Sequence, residues 1–208
     1  MPARTTILIK DEFYHLYNRG NSKQVIFHDD QDYRYFMNLL SIMNTESRFK
    51  TRFGRTSVEG EENIISIGAY CLMPNHFHIL VKQEKDGGIK LFMQKLSTAY
   101  VMYYNKKYKR TGALFEGRFK SKHAGEDRYL KYLFSYIHLN PLKILDQNWK
   151  NSPIRHDKQT FLSEYPYSSF NEYQTGEHSI TNVAAFPEYF PSKTSFVNEM
   201  SSWLRLRD

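Results

Sequence analysis

Cysteine is almost missing from this chain of 208 residues: Cys71 stands alone. A single thiol forms no internal disulfide and no thiolate metal cage, so a disulfide-stapled secreted scaffold is excluded. Long apolar runs are missing too. Nothing approaches the roughly 20 residues that a membrane-crossing helix needs, and the first ten residues carry no apolar stretch long enough for a secretory leader. The expectation is a soluble, cytoplasmic protein without membrane contact. There is no internal repeat, no low-complexity tract and no Gly-rich phosphate loop of the kind that would mark a nucleotide-driven motor.

What the chain does have is aromatic side chains and positive charge. With 15 Phe, 16 Tyr and 2 Trp there is ample material for a core, and disorder of the whole chain is excluded. Lys and Arg number 29 against 22 Asp and Glu, a formal charge of +7, and the pI is near 9.3. That balance favours polyanionic partners, because clustered cations release counterions when they meet phosphates.

Periodicity then sets out the elements. Residues 11–19 alternate Phe13, His15 and Tyr17 against Tyr14, Leu16 and Asn18, the period of a strand. From Asp32, Tyr33, Phe36, Met37, Leu40 and Met43 recur at helical spacing, with Asp29 or Asp30 as cap. Residues 45–62 are basic then acidic without a period and read as an exposed loop. Ile64–Met73 and His76–Lys82, separated by Pro74-Asn75, predict an antiparallel hairpin. Asp86-Gly87-Gly88 opens a long helix with Ile89, Phe92, Leu96, Ala99, Tyr100 and Tyr103 on one stripe. A strand over 118–122 and a helix from about Glu126 to Leu139 follow, the helix stopping before Pro141. The order predicts an α+β, ferredoxin-like βαββαβ antiparallel sheet with helices on one face. Five of the seven prolines lie at or after Pro141, so residues 1–145 read as the domain and 146–208 as an irregular C-terminal extension packing on it.

The chemistry concentrates in Cys71 to Leu80, Cys-Leu-Met-Pro-Asn-His-Phe-His-Ile-Leu. On a strand His76 and His78 project from one face while Phe77 and Ile79 point the other way. Two such imidazoles can hold one divalent metal ion. An isolated His-x-His is more often the polar face of a half-buried strand, so the surroundings must decide.

Those surroundings resemble the His-hydrophobic-His (HUH) segment of the REP-associated tyrosine transposases, within the insertion-sequence-200-type single-tyrosine superfamily. Three further stretches fit in order: Tyr14 to Gly20 (Tyr-His-Leu-Tyr-Asn-Arg-Gly), Gly112 to Lys120 (Gly-Ala-Leu-Phe-Glu-Gly-Arg-Phe-Lys) and Tyr136 to Pro141 (Tyr-Ile-His-Leu-Asn-Pro). The resemblance covers about residues 11–145 and implies the HUH nuclease fold. It also implies a helix tyrosine that attacks a single-stranded DNA phosphodiester, leaving a 5′-phosphotyrosine and a free 3′-hydroxyl. It assigns that role to Tyr136; spacing alone leaves Tyr129 and Tyr132 on nearly the same stripe. It further implies that His76 and His78, with Asn140 as the polar ligand after the tyrosine, hold Mg²⁺ or Mn²⁺. The family often has Gln there, and Asn140 before Pro141 equally reads as a helix terminator.

Arg19, Lys106, Lys107, Arg110, Arg118, Lys120 and Lys122 are candidate phosphate contacts, against the reading of a solvated basic surface. The resemblance implies single-stranded DNA as partner, as hairpin or palindromic repeat ends, bound by a monomer or homodimer. Two other readings stand beside the transposase: a catalytically silent DNA-binding protein that keeps the HUH fold, and a replication-initiation or relaxase-type nuclease. The remaining histidines, His15 and His138 among them, read as structural or exposed.

Overall fold

A computed structural model describes residues 6–46, 63–149 and 157–205. Most of the loop expected over 45–62 lies outside the described residues. Four strands form one antiparallel sheet: β1 (Phe13–Arg19), β2 (Ile65–Met73), β3 (His76–Gln83) and β4 (Lys120–His123), in the order β2-β3-β1-β4. Two long helices, α1 (Asp30–Ile42) and α2 (Gly88–Lys107), make the crossovers, and α3 (Asp127–His138) follows β4. This is the ferredoxin-like βαββαβ arrangement.

Each crossover helix follows from its sequence. Asp29 caps α1 by accepting from the Asp32 N–H at 3.1 Å. Tyr33, Phe36 and Leu40 of α1 and Ile89, Phe92, Leu96 and Tyr100 of α2 join Tyr14, Leu16, Phe77, Ile79 and Val81 of the sheet in one buried core. Each such side chain contributes about 1.5–3 kcal/mol by leaving water. Asp32 is fully buried in this layer; it accepts from Lys107, Tyr103 and Tyr108, and these bonds hold its carboxyl below the usual range although burial pushes it up.

The other face of the sheet carries a second core. Ala69, Cys71, Met73 and Leu80 meet Leu130, Leu133, Phe134 and Ile137 of α3. Thus α1 and α2 share one face and α3 covers the opposite one. All nine residues of β2 are buried, as expected for a strand covered on both sides. A bulge interrupts its pairing between Ile67 and Ala69; a side chain on Gly68 would meet the Phe186 ring at 2.6 Å, so glycine lets that ring close on the strand.

The C-terminal extension is not irregular. After a short α4 (Leu142–Leu145) it forms α5 (Asp157–Glu164), α6 (Phe170–Thr175) and α7 (Lys193–Arg205). The helices arise because Tyr165, Phe170, Tyr173, Phe196 and Met200 have a place to be buried, the second core. The strand expected over 118–122 is shorter: it begins at Lys120, and Arg118 sits in the bend before it, next to Gly117 with φ 139°. Among the described residues no helix is long and apolar enough to cross a membrane.

Candidate active site

The antiparallel register sets the site. On β3, His76 lies opposite Arg19 and His78 opposite Tyr17, while His15 lies opposite Leu80. On the other side of β1, Tyr17 pairs with Lys120 and His15 with Lys122. Alternation puts these side chains on the face that α3 covers, whereas Phe77 and Ile79 enter the first core.

Both histidines of the pair are anchored through Nδ1. The His76 Nδ1 stands 2.6 Å from the Asn75 Oδ1, and the Asn75 Nδ2 donates to the Lys23 carbonyl at 3.2 Å, which fixes the amide's orientation. His76 therefore carries its proton on Nδ1 and presents a lone pair at Nε2. The His78 Nδ1 stands 2.8 Å from the His15 Nε2. Burial pushes His76 and His15 down to about 4 and His78 well below the usual imidazole range; Lys143 lowers His76 further, and Lys122 lowers His15. All three rings are neutral at pH 7, the form that binds metal.

Tyr136 projects from α3 onto this cluster. Its half-buried ring lies edge-on to His78 at 5.5 Å and to His15 at 5.9 Å between centroids. The Lys143 ammonium, on α4, stands 5.2 Å from the Tyr136 ring centre. The other two tyrosines of the stripe make no ring contact with the histidines: Tyr132 stacks on Tyr136 at 5.9 Å and packs against Trp203 at 5.7 Å, and Tyr129 lies under the Lys122 ammonium at 4.3 Å. Geometry thus separates three tyrosines that spacing left equivalent.

Asn140 is 1% exposed. It lines a narrow cavity with Tyr136, Lys143, Trp149 and Trp203, and among the described residues neither its Oδ1 nor its Nδ2 has a hydrogen-bond partner. A buried amide without partners is costly. Among the described residues no group of three or more His, Cys, Asp or Glu could hold a metal ion.

Six of the seven candidate phosphate contacts fall into two groups, and the seventh, Arg118, stands apart, exposed in the bend before β4. Lys120 and Lys122 are exposed on the histidine face, and Arg19 shares that face, paired with Glu116 at 2.8 Å. Lys106, Lys107 and Arg110 stand at the end of α2, which packs on the opposite face. Lys107 is held by Asp29 and Asp32 at 2.8 and 2.7 Å, and Arg110 donates to Gln24 at 2.9 Å. Three site residues were missed in the sequence: His15, Asn75 and Lys143. The alternation of β1 already put His15 and Tyr17 on one face; what was lacking was the pairing that sets that face beside His78. His138, fully buried and bonded to the Ser169 hydroxyl at 2.7 Å, is structural.

A sheet bearing paired imidazoles on one face, with a helix tyrosine laid over them, places the protein in a fold class shared with a solved structure described as a REP-associated tyrosine transposase bound to a REP hairpin. That match has a TM-score of 0.52 at 13% identity, covering 91% of this chain and 99% of the other. A tRNA(His) guanylyltransferase from Saccharomyces cerevisiae is more distant, with a TM-score of 0.40 at 13% identity, over 90% of this chain and 86% of the other. No curated protein matches the chain. The family described as Transposase IS200 like matches residues 9–140. The chain belongs to the IS200-like transposase family, and as a transposase it is an enzyme acting on DNA.

Proposed function

We propose that the protein is a single-stranded DNA endonuclease and strand transferase in which Tyr136 is the nucleophile. The phenol oxygen attacks a phosphodiester phosphorus, the bond from phosphorus to the 3′ oxygen breaks, and the phenol's proton is delivered, directly or through water, to the departing 3′-hydroxyl. The product is a 5′-phosphotyrosine. Because the phosphate ester is retained, attack by another 3′-hydroxyl rejoins strands without ATP. The observation that carries this reading is the meeting of the Tyr136, His78 and His15 rings within one chain, which also supports attack by a tyrosine of the same protomer, with no need of a partner subunit.

In this reading His76, His78 and Asn140 would be the protein ligands of a divalent ion, Mg²⁺ or Mn²⁺. Such an ion supplies neutralisation of the charge that builds on the phosphate oxygens. Lys143, beside the Tyr136 ring, adds a second positive charge where the attacking oxygen and the phosphate come together. Lys120 and Lys122 extend positive charge along the same face for the flanking phosphates, and the substrate is single-stranded DNA at hairpin or palindromic repeat ends.

The test is a labelled single-stranded hairpin incubated with Mn²⁺ and resolved on a denaturing gel. Wild type is expected to give a retarded covalent band, and Tyr136→Phe to bind the DNA without one. A Tyr136→Phe protein that still forms the adduct overturns the assignment. Binding by the wild type with no adduct under any divalent ion would instead make the protein a catalytically silent DNA binder.

A further inference from the structure

Of the two imidazoles of the site His78 is buried and His76 half-buried, and both are hydrogen-bonded through Nδ1, but by different partners. For His76 the partner is the Asn75 Oδ1, an oxygen that can only accept, so the ring's tautomer is fixed before any ligand arrives. For His78 the partner is another imidazole, the His15 Nε2 at 2.8 Å, in a contact that is 7% exposed on each side. A neutral imidazole has one N–H and one lone pair, so this contact admits two arrangements. In one, His78 donates from Nδ1 and keeps a lone pair on Nε2. In the other, His15 donates, and the His78 Nε2 carries a proton that blocks coordination.

We infer that His15 is a positioning residue that accepts the Nδ1 proton of His78 and so holds the His78 Nε2 ready as a ligand atom. An imidazole coordinated through Nε2 must carry its proton on Nδ1, and a proton buried there needs an acceptor. Among the described residues the His15 Nε2 is the atom placed to receive it. Tyr17 and Tyr136 pack on the other sides of His15 at 5.1 and 5.9 Å and hold the ring in place. His15 thereby does for His78 what Asn75 does for His76.

This inference rests on the metal-binding reading of the site, and the experiment separates the two. Two-bond ¹H–¹⁵N spectra of histidine-labelled, metal-free, full-length protein report the tautomer directly. His78 is expected as the Nδ1–H form; an Nε2–H form overturns the inference whether or not metal binds. Mn²⁺ titration calorimetry then compares wild type with His15→Leu, which removes the acceptor, and His15→Gln, whose amide oxygen can take the place of Nε2. Affinity should fall about 10- to 100-fold in His15→Leu, the range for loss of such an outer partner, and return to within about threefold in His15→Gln. Equal affinity in wild type and a folded His15→Leu, or no recovery in a folded His15→Gln, overturns the role of His15. Absence of Mn²⁺ binding by the wild type overturns the metal site itself, and the spectra still decide the hydrogen bond.

Discussion

Replacing Asn140 by leucine should raise the melting temperature of the metal-free protein and abolish most of its response to Mn²⁺. The amide is 1% exposed and both of its polar atoms lack hydrogen-bond partners among the described residues. A buried polar group in that state costs about 1–3 kcal/mol. Leucine has a similar length and no polar atoms; imperfect packing of its branched tip takes back up to about 1.5 kcal/mol, so the net change centres on a gain of roughly 1 kcal/mol. For a chain of this length that is a rise of about 2–4 °C. Mn²⁺ at 100 times its Kd adds about 2.7 kcal/mol to a protein that binds it, so the order of the two melting curves should reverse when the ion is added. Calorimetric scans of both proteins with and without Mn²⁺ read all four states. The reasoning is refuted if Asn140→Leu melts below wild type without metal, or if it gains as much from Mn²⁺ as wild type does; the second result would make Asn140 a helix terminator and no more.

Two further outcomes follow from the same geometry. Lys143→Gln should slow adduct formation about 10- to 100-fold while leaving DNA binding within about threefold, since one interaction with developing charge is worth on the order of 1–3 kcal/mol; single-turnover gels measure it, and an unchanged rate removes Lys143 from the chemistry. His138, which burial pushes down to about 3, takes up its proton on unfolding, where a histidine titrates near ~6.5. Its contribution is complete above pH 6.5 and is lost progressively as pH falls toward 3, about 2 kcal/mol by pH 5. Urea midpoints at pH 7.5 and pH 5 check this, and His138→Gln should flatten the dependence; an equally steep pH dependence in the variant would remove His138 as its source.

Much of the fold was legible because its local signals agree with its topology. The hairpin at Pro74-Asn75, the stripes of α1, α2 and α3 and the order of strands all follow from period and punctuation, and the paired His76 and His78 follow from strand alternation. What stayed hidden depends on contacts between segments far apart in sequence. His15 is 63 residues from His78, and no periodicity reports that β1 pairs with β3 in the register that makes them neighbours. Lys143 and Tyr136 meet because α3 ends at His138, before Pro141 as expected, and a separate short helix, α4, starts at Leu142 with Pro141 as its N-cap; a single turn is too short to show a period. In α7, Phe196, Val197, Met200, Trp203 and Leu204 do recur at helical spacing; that signal was present and was obscured by the prolines at 187 and 191.

The extension is a structural half of the site's own face of the sheet, and its removal should show this. Tyr165, Phe170, Tyr173, Phe186, Phe196 and Met200 are each at most 8% exposed and share one core with Leu130, Phe134 and Ile137 of the helix that carries Tyr136. At about 1.5–3 kcal/mol for each buried side chain, a chain ending at residue 145 loses on the order of 10 kcal/mol, as much as the whole stability of a typical domain. It would also bare β2, which Tyr165 and Ser169 bind at the Leu72 carbonyl and the Tyr70 N–H, at 2.6 and 2.9 Å. The truncated chain is therefore expected to lack a cooperative melting transition and to form no covalent adduct with DNA. A fragment 1–145 that melts cooperatively near the full-length temperature would refute this, and would mean that α1, α2 and their core alone can hold the sheet while α3 keeps Tyr136 over the histidines without cover.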